Sequence, residues 1–379
     1  MAAALIALLV LAGCATLLGP RFYDAYTLLN DVAAGASRPD DGVSLPARKA
    51  LVWHEAGQSG MGDLYLPIGT AKGRLVVVPG LAVEGKAHPL LVAFAESFAR
   101  AGFAVLVPDL ENLRALRASP EDARAIAAAA SFFARAEAGG APPAKVAVAA
   151  ISYAAGPAIL AALEPEGRAS VGLIVAIGPY ADTVETITYV TTGYARDAET
   201  GAWVKGAPNV YGRWAFLAAN AGYVMNLGDR SRLLAIADRK WSDPDADVGD
   251  LTAMLGPEAR AIFTLLENAD PDAVPVLIAK LPGAVQRNLD ALNLARRDLS
   301  ALDCDVVLIH GEDDSIIPAA QSRRLAALLP PGRAHLAIVD HLMHVEFQQG
   351  LSLRDGWTLL DAGATIIRYR DQPEPLATP

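Results

Sequence analysis

The sequence predicts an α/β fold with a mostly parallel central sheet, helices on both faces and an inserted helical cap. Between residues 183 and 299 we find helical spacing of apolar residues and no convincing strand, which predicts the cap. Outside this segment, stretches whose apolar residues recur at helical spacing alternate with short apolar runs. Six short, continuous apolar runs are typical of strands buried on both faces, at residues 73–80, 104–110, 145–152, 171–179, 304–311 and 335–340.

The composition indicates a globular protein with a large core and no nucleic-acid partner. Hydrophobic residues make up 53% of the 379 residues, charged residues make up 20%, and the formal net charge is −10. Phosphate binding needs clustered Lys and Arg, which no single run provides. The two cysteines, Cys14 and Cys304, do not form a disulfide framework, and the histidines lack metal-binding spacing. We therefore expect no metal and no cofactor.

The N-terminal segment resembles a bacterial lipoprotein signal. Residues 2–19 form an uncharged apolar run of the kind that targets or anchors a protein. Within it, LAGC at 11–14 is similar to the lipobox, in which cleavage precedes the cysteine and the thiol carries lipid. The resemblance implies a signal at 1–13, a lipid on Cys14 and a tether over 14–46. It also implies a membrane-anchored lipoprotein of the bacterial cell envelope that faces the periplasm.

Three alternatives remain for this segment, one of which is a misassigned start codon. The segment could stay attached as an uncleaved membrane anchor. The topology could also be inverted, because Arg21 and Arg48 follow the apolar run while only the terminal amine precedes it.

The core is predicted at 47–182 and 300–370, on either side of the cap at 183–299. It opens with a hairpin whose strands, KALVWHEA and GDLYLPIG, are separated by GQSGMG at 57–62. Residues 371–379 are expected to form a disordered tail.

Ser152 lies where the buried run VAVAAI ends and an Ala-rich, helix-like segment begins. In an open parallel sheet, ligands bind beyond the carboxyl ends of the strands. A residue at a sharp strand-to-helix turn there is presented to the pocket. Ser152 is therefore either a nucleophile or a helix-capping serine.

Two motifs resemble the α/β-hydrolase family. AISYA at 150–154 is similar to the family's Gly-x-Ser-x-Gly nucleophile elbow, with alanine in place of both glycines. VVLIHGEDDSIIP at 306–318 resembles the segment that carries the family's acid. The resemblance covers roughly residues 50–182 and 300–370. It implies the α/β-hydrolase fold, a cap that sets substrate choice, and a catalytic serine, acid and histidine in that order.

The resemblance implies a catalytic triad of Ser152, Asp314 and His344. Asp314 has the family's spacing from the preceding glycine, and Asp313 is the neighbour that could be mistaken for it. His344 fits the base better than His341, because a short loop usually separates the last strand from a histidine that begins a helix.

The oxyanion hole is implied at two backbone amides. In the family they come from the residue after the serine and from the loop after an early buried strand, which here are Tyr153 and Leu81.

These residues predict an enzyme, a serine hydrolase that cleaves a carboxylic ester or related acyl substrate through an acyl-enzyme on Ser152. The cap's aromatic and aliphatic residues would suit an apolar group of a small acyl substrate, or they simply pack the cap on the core. The alternative to an enzyme is a non-catalytic lipoprotein of the same fold that acts as a binding or scaffolding domain.

Overall fold

The structure is a computed structural model that describes residues 18–35, 45–197, 200–340, 342–343, 346–347 and 352–376. The predicted signal at 1–13 and the predicted lipidation site, Cys14, lie outside these residues.

The described chain contains short strands and helices in alternation. The strands are β1 (Ala47–Glu55), β2 (Gln58–Leu66), β3 (Gly73–Val78), β4 (Phe103–Pro108), β5 (Val146–Ile151), β6 (Val171–Ile177), β7 (Tyr194–Arg196), β8 (Trp203–Lys205), β9 (Asp305–Gly311), β10 (Ala334–Val339), β11 (Leu342–Met343) and β12 (Glu346–Phe347). The helices are α1 (Pro20–Ala34), α2 (Pro89–Arg100), α3 (Glu111–Arg114), α4 (Glu121–Arg135), α5 (Ala155–Ala161), α6 (Pro165–Ser170), α7 (Thr183–Thr192), α8 (Val210–Ala221), α9 (Leu227–Ser242), α10 (Gly249–Thr252), α11 (Pro257–Glu267), α12 (Val274–Ile278), α13 (Gly283–Leu292), α14 (Ala319–Leu328) and α15 (Leu353–Asp371).

Eight strands form one sheet in the order β1-β2-β4-β3-β5-β6-β9-β10. Strand β2 is antiparallel to both of its neighbours, and the pairs from β4 to β10 are parallel. All six predicted buried runs are strands of this sheet, so the predicted fold class is confirmed. The chain order reverses at β3, which has β4 on one side and β5 on the other. Ligands bind beyond the carboxyl ends of the strands at such a switch point.

Helices cover both faces of the sheet. One face packs against a first layer that includes α4, α5 and α14, and the other packs against a second layer formed by α1, α2 and α15. Side chains along each strand alternate between the two layers. In β5, Val148 and Ala150 face the first layer, while Ala149 and Ile151 face the second.

A packed helix occupies part of the segment predicted to be a tether. Helix α1 lies within residues 14–46, and its Ala25 and Leu28 are buried in the apolar cluster that α1 shares with α2 and α15. Its first turn begins with Pro20, a residue whose fixed φ suits the start of a helix. The tether prediction is therefore corrected for residues 20–34. The interaction that orders them is tertiary packing, which the small, mixed composition of the segment does not reveal.

The cap has its own apolar core and one unpredicted hairpin. In the described part of residues 183–299, α7 to α13 enclose a cluster that includes Trp214, Leu217 and Leu233. Strands β7 and β8 pair in antiparallel fashion, although the sequence predicts no strand in this segment. Three-residue strands are too short to show a period of two, and this explains the difference.

Two shorter segments also differ from the predictions. The opening hairpin turns at Ala56 and Gly57, and β2 continues through most of the predicted linker at 57–62. The start of the predicted tail is docked, because the Lys145 amide donates to the Glu374 carbonyl at 2.8 Å and their side chains form an ion pair at 2.8 Å.

Candidate active site

Ser152 occupies a strained turn between β5 and α5. A 3₁₀ turn over Ser152–Ala154 joins the two elements. The φ angle of Ser152 is 56°, in the left-handed region that costs a residue with a Cβ about 1–2 kcal/mol. Among the described non-glycine residues, only Ala56 and Leu116 also have positive φ. A strained strand-to-helix turn of this kind is the geometry of a nucleophile elbow.

The turn at Ser152 accommodates Ala150 and Ala154. The position where only glycine leaves room for a neighbouring side chain lies further along the chain. Ala150 and Ala154 are both fully buried. At Gly156, a Cβ would lie 2.1 Å from the hydroxyl of Tyr180, which follows β6. Gly156 is not predicted from the sequence because it stands four residues after the serine rather than two. The sequence feature that could have indicated this close approach is that Gly156 is the only glycine within α5.

The side chain of Tyr153 anchors the residue after Ser152. Its hydroxyl accepts a hydrogen bond from the Ser119 amide at 2.8 Å and donates to the Asp122 carboxylate at 3.1 Å. Its ring stacks on Tyr180 with a centroid distance of 6.5 Å. The backbone amide of Tyr153, a predicted oxyanion donor, is thus attached to a side chain fixed at its far end.

The loop after β3 passes directly beside the elbow. A Cβ at Gly80 would lie 3.4 Å from the carbonyl oxygen of Ile151 and 3.6 Å from the Cβ of Ser152. Leu81, the other predicted oxyanion donor, follows in the chain and lines the same cavity as Ser152 and Tyr153.

Asp314 is buried and held by several donors. Its Oδ1 accepts the amides of Ile316 at 2.8 Å and Ile317 at 3.0 Å. Its Oδ2 lies 3.2 Å from Nε2 of His310. The neighbouring Asp313 is exposed. The hydrogen bonds therefore fix one orientation of the Asp314 carboxylate.

His310 supports Asp314 and is not itself in the predicted site. The ring is fully buried, and Nε2 lies 2.8 Å from the carbonyl oxygen of Ile317. Because a carbonyl only accepts, Nε2 carries the proton. The Ser322 hydroxyl, 2.6 Å from Nδ1, then donates to that nitrogen. The sequence places His310 only at the end of its strand, and the motif gives no sign of this role.

The predicted base, His344, and its alternative, His341, lie outside the described residues. Leu342–Met343 and Glu346–Phe347 pair as β11 and β12, and the next helix begins at Leu353. The helix expected immediately after His344 is therefore corrected to a strand. A Cβ at Gly311 would lie 1.7 Å from the Leu342 carbonyl oxygen, so β11 runs against the end of β9, close to the loop that holds Asp314.

Ser152, Leu81 and Tyr153 line one large cavity. Its volume is about 1060 Å³. The cap contributes residues of α7 and α8 to its wall, and the core contributes strand ends and the second helix layer. It lies at the carboxyl ends of β3 and β5, the position expected for a ligand site in this topology.

Neither a metal cluster nor a membrane span is found where the structure describes the chain. Those residues include no group of three or more His, Cys, Asp or Glu that could hold a metal ion. No helix drawn from them is both long enough and apolar enough to cross a membrane.

Comparison with known proteins gives similarity of fold without similarity of sequence. No protein-family profile matches the chain, and no curated protein matches it in sequence. An acylaminoacyl peptidase solved with Z-Gly-Gly-Phe-chloromethyl ketone is 11% identical with a TM-score of 0.50, over 89% of this chain and 43% of that one. The chain thus spans less than half the length of that peptidase.

Two esterases are also similar in structure. The esterase domain of a Rhodothermus marinus protein is 12% identical with a TM-score of 0.43, over 86% of this chain and 99% of that one. A hyperthermophilic esterase from the archaeon Pyrobaculum calidifontis is 16% identical with a TM-score of 0.47, over 93% of this chain and 92% of that one. At sequence identities this low, the similarity is one of fold alone. The sheet order and the helices on both faces give the chain the α/β-hydrolase fold.

Proposed function

We propose that the protein is a serine hydrolase that cleaves a carboxylic ester or a related acyl substrate through an acyl-enzyme on Ser152. The observation that carries the proposal is the φ of 56° at Ser152, at the carboxyl end of β5 and on the cavity wall. A helix-capping serine has β-region dihedrals and needs no such strain. Strain of this kind persists where a side chain must be presented for chemistry.

In the proposed reaction, the Ser152 Oγ attacks the acyl carbon while His344 accepts its proton. The amides of Leu81 and Tyr153 donate to the oxyanion that forms. The bond to the leaving alcohol then breaks, and His344 gives the proton to the alcohol oxygen. Water, deprotonated by His344, attacks the acyl-enzyme, which releases the carboxylic acid and returns the proton to Ser152. No cofactor takes part.

Asp314 has the role of orienting His344. A carboxylate beside the imidazole selects the tautomer that accepts the serine proton and stabilises the imidazolium. The amides of Ile316 and Ile317 and the ring of His310 support this role by holding the carboxylate still.

The test is labelling with a fluorophosphonate probe, followed by turnover of p-nitrophenyl acetate and butyrate by the full chain in detergent. We expect the wild type to label. Ser152→Ala should not label, and Asp314→Asn and His344→Ala should each lose at least roughly 10³-fold in kcat. The matched controls are Asp313→Asn and His341→Ala, which should stay within about threefold of the wild type.

The outcomes separate the enzyme from its rival. A folded wild type that neither labels nor turns over any ester would support a non-catalytic binding or scaffolding domain. A loss in His341→Ala with normal His344→Ala would transfer the role of base to His341.

We further propose that Cys14 carries lipid and that the protein is anchored in the bacterial cell envelope, facing the periplasm. Support comes from the LAGC sequence at 11–14 alone. Mass analysis of the N-terminal peptide tests this: a diacylated Cys14 as first residue supports it, and an intact Met1 points to the uncleaved anchor.

A further inference from the structure

The cavity at Ser152 continues away from the cap, beneath the strand ends and into the second helix layer. Its wall includes Ile151, Val175 and Ile177, whose side chains face α1, α2 and α15 rather than the cap. It also includes Leu28 and Val32 of α1. The same cavity therefore joins the elbow to the N-terminal helix.

Helix α1 is a fixed wall of this cavity. Asp24 pairs with the buried Arg370 of α15 at 2.6 Å, and Asp31 pairs with Arg100 of α2 at 2.6 Å. The two carboxylates stand seven residues apart, so both lie on one face of the helix. Leu28, midway between them, is 4% exposed. The ion pairs thus hold the two ends of α1 against the neighbouring helices.

The polar residues of the lining are unevenly distributed. On the cap side, α7 and α8 contribute Thr183, Thr186, Tyr211 and Asn220 together with apolar residues such as Phe216. On the side of the second layer, every described lining residue of α1, α2 and α15 is aliphatic, aromatic or glycine. No Asp, Glu, Lys or Arg is among the described residues that line the cavity. A buried charged or polar group needs a hydrogen-bonding or charged partner. The second layer offers no such partner to a charged or polar acyl tail.

The cavity volume of about 1060 Å³ is larger than a short ester would occupy. It slightly exceeds the range of roughly 300–1,000 Å³ that small-molecule pockets occupy. An occupant with a long hydrocarbon chain fits both the volume and the apolar lining of the second layer.

We propose that the acyl group of the substrate is a long, unbranched hydrocarbon chain whose distal end lies against Leu28, Leu29 and Val32 of α1. The proposal rests on the proposed function, since Ser152 provides the attachment point. The leaving group then lies on the cap side, among the hydroxyl and amide side chains. Helix α1 accordingly sets the acyl length that the site accepts.

The experiment measures kcat/KM for p-nitrophenyl esters from acetate to hexadecanoate with the full chain in detergent. For the wild type we expect kcat/KM to rise with each methylene, by up to roughly fourfold, as far as about twelve carbons. Val32→Trp fills the cavity beside α1, so we expect it to lower the value for hexadecanoate by at least about tenfold and leave acetate within about twofold. Ala33→Trp, at an exposed position of the same wall, should act in the same direction if Val32→Trp does not fold.

The matched control is Thr27→Trp, which places the same side chain on an exposed position of the same helix. It should leave the whole chain-length profile unchanged. A wild type that turns over acetate but declines beyond butyrate would overturn the proposal, as would a Val32→Trp that lowers acetate and hexadecanoate equally.

A second measurement keeps this inference separate from the proposed function. Binding of cis-parinaric acid, a fluorescent fatty acid, to Ser152→Ala does not depend on catalysis. We expect saturable binding that Val32→Trp weakens at least about tenfold and Thr27→Trp does not. If no ester is turned over but this pattern holds, the cavity binds acyl chains and the hydrolase proposal fails. If esters are turned over and the acid does not bind, the α1 proposal fails.

Discussion

The phenol of Tyr153 donates a hydrogen bond to the buried carboxylate of Asp122 across 3.1 Å, linking the residue after Ser152 to the first turn of α4. Asp122 is 2% exposed, and its other oxygen accepts from Asn112 at 3.0 Å. Burial raises the pKa of Asp122 to about 6, and the hydrogen bonds from Asn112 and Tyr153 offset only part of that rise. Burial also raises the pKa of Tyr153 well above its ordinary value, so the phenol remains a donor.

Asp122→Asn should therefore change stability in a pH-dependent way. The pKa of Asp122 is higher in the folded protein than its ordinary value of 3.8, so the folded state binds the proton more tightly than the unfolded state. The ionised carboxylate then costs stability above about pH 6, and this cost disappears as the pH falls toward 4. We expect the variant to be more stable than the wild type by about 2 kcal/mol at pH 8, and the difference to approach zero at pH 4. Urea unfolding at pH 4, 6 and 8 measures it, and a difference independent of pH would contradict the assignment.

Replacing Ser152 by Ala and by Gly should separate strain from chemistry. Both variants lose the hydroxyl, so neither should label with the fluorophosphonate probe. Glycine adopts a φ of 56° without penalty, whereas alanine keeps the strain. We expect the free energy of unfolding of Ser152→Gly to be about 1 kcal/mol higher than that of Ser152→Ala. This order holds even though glycine usually lowers stability through the unfolded state. A Ser152→Ala variant more stable than Ser152→Gly would show that the turn is not strained in solution.

Gly156→Ala should destabilise the elbow through Tyr180. The added methyl group would lie 2.1 Å from the Tyr180 hydroxyl, which in the described structure is buried without a hydrogen-bond partner. We expect a loss of about 2–4 kcal/mol in the free energy of unfolding, as overpacking of a rigid core produces. Tyr180→Leu should rescue it, because a shorter side chain makes room for the methyl group. The double-mutant cycle should give a favourable coupling of at least about 1 kcal/mol, and additive effects of the two substitutions would rule out the clash.

The sheet and the place of Ser152 could be predicted because both depend on local patterns. Continuous apolar runs identify strands that are buried on both faces, and small residues two positions before and two positions after a serine indicate a tight turn. The cavity could not be predicted in the same way. Leu28, Phe94 and Ile366 come from three distant helices, and they meet only because the second layer packs on one face of the sheet. Likewise, α1 packs through Ala25 and Leu28 against α2 and α15, two helices that are distant in the sequence.

Arg74 illustrates a further limit of sequence patterns, because the charged residue is 1% exposed within a fully buried strand. Its guanidinium donates to the carbonyls of Phe133 at 2.8 Å and Ala141 at 2.7 Å, and also to those of Ala136 and Pro142. It therefore supplies hydrogen-bond donors to carbonyl groups at the C-terminal end of α4 and in the loop that follows. The last carbonyls of a helix receive no donor from the helix itself. Burial lowers the pKa of Arg74 from its ordinary value, but the carbonyls supply partners for its donors.

Arg74→Met should remove these hydrogen bonds while retaining most of the side-chain volume. Several buried carbonyls would then lack donors, and we expect a loss of about 3 kcal/mol in the free energy of unfolding. Arg74→Lys should recover only part of the loss, because an ammonium has three donors and cannot reproduce the planar arrangement of the guanidinium. Urea unfolding of the three proteins measures the effect. A methionine variant as stable as the wild type would mean that the end of α4 finds other donors, and a lysine variant as stable as the wild type would mean that the charge alone matters.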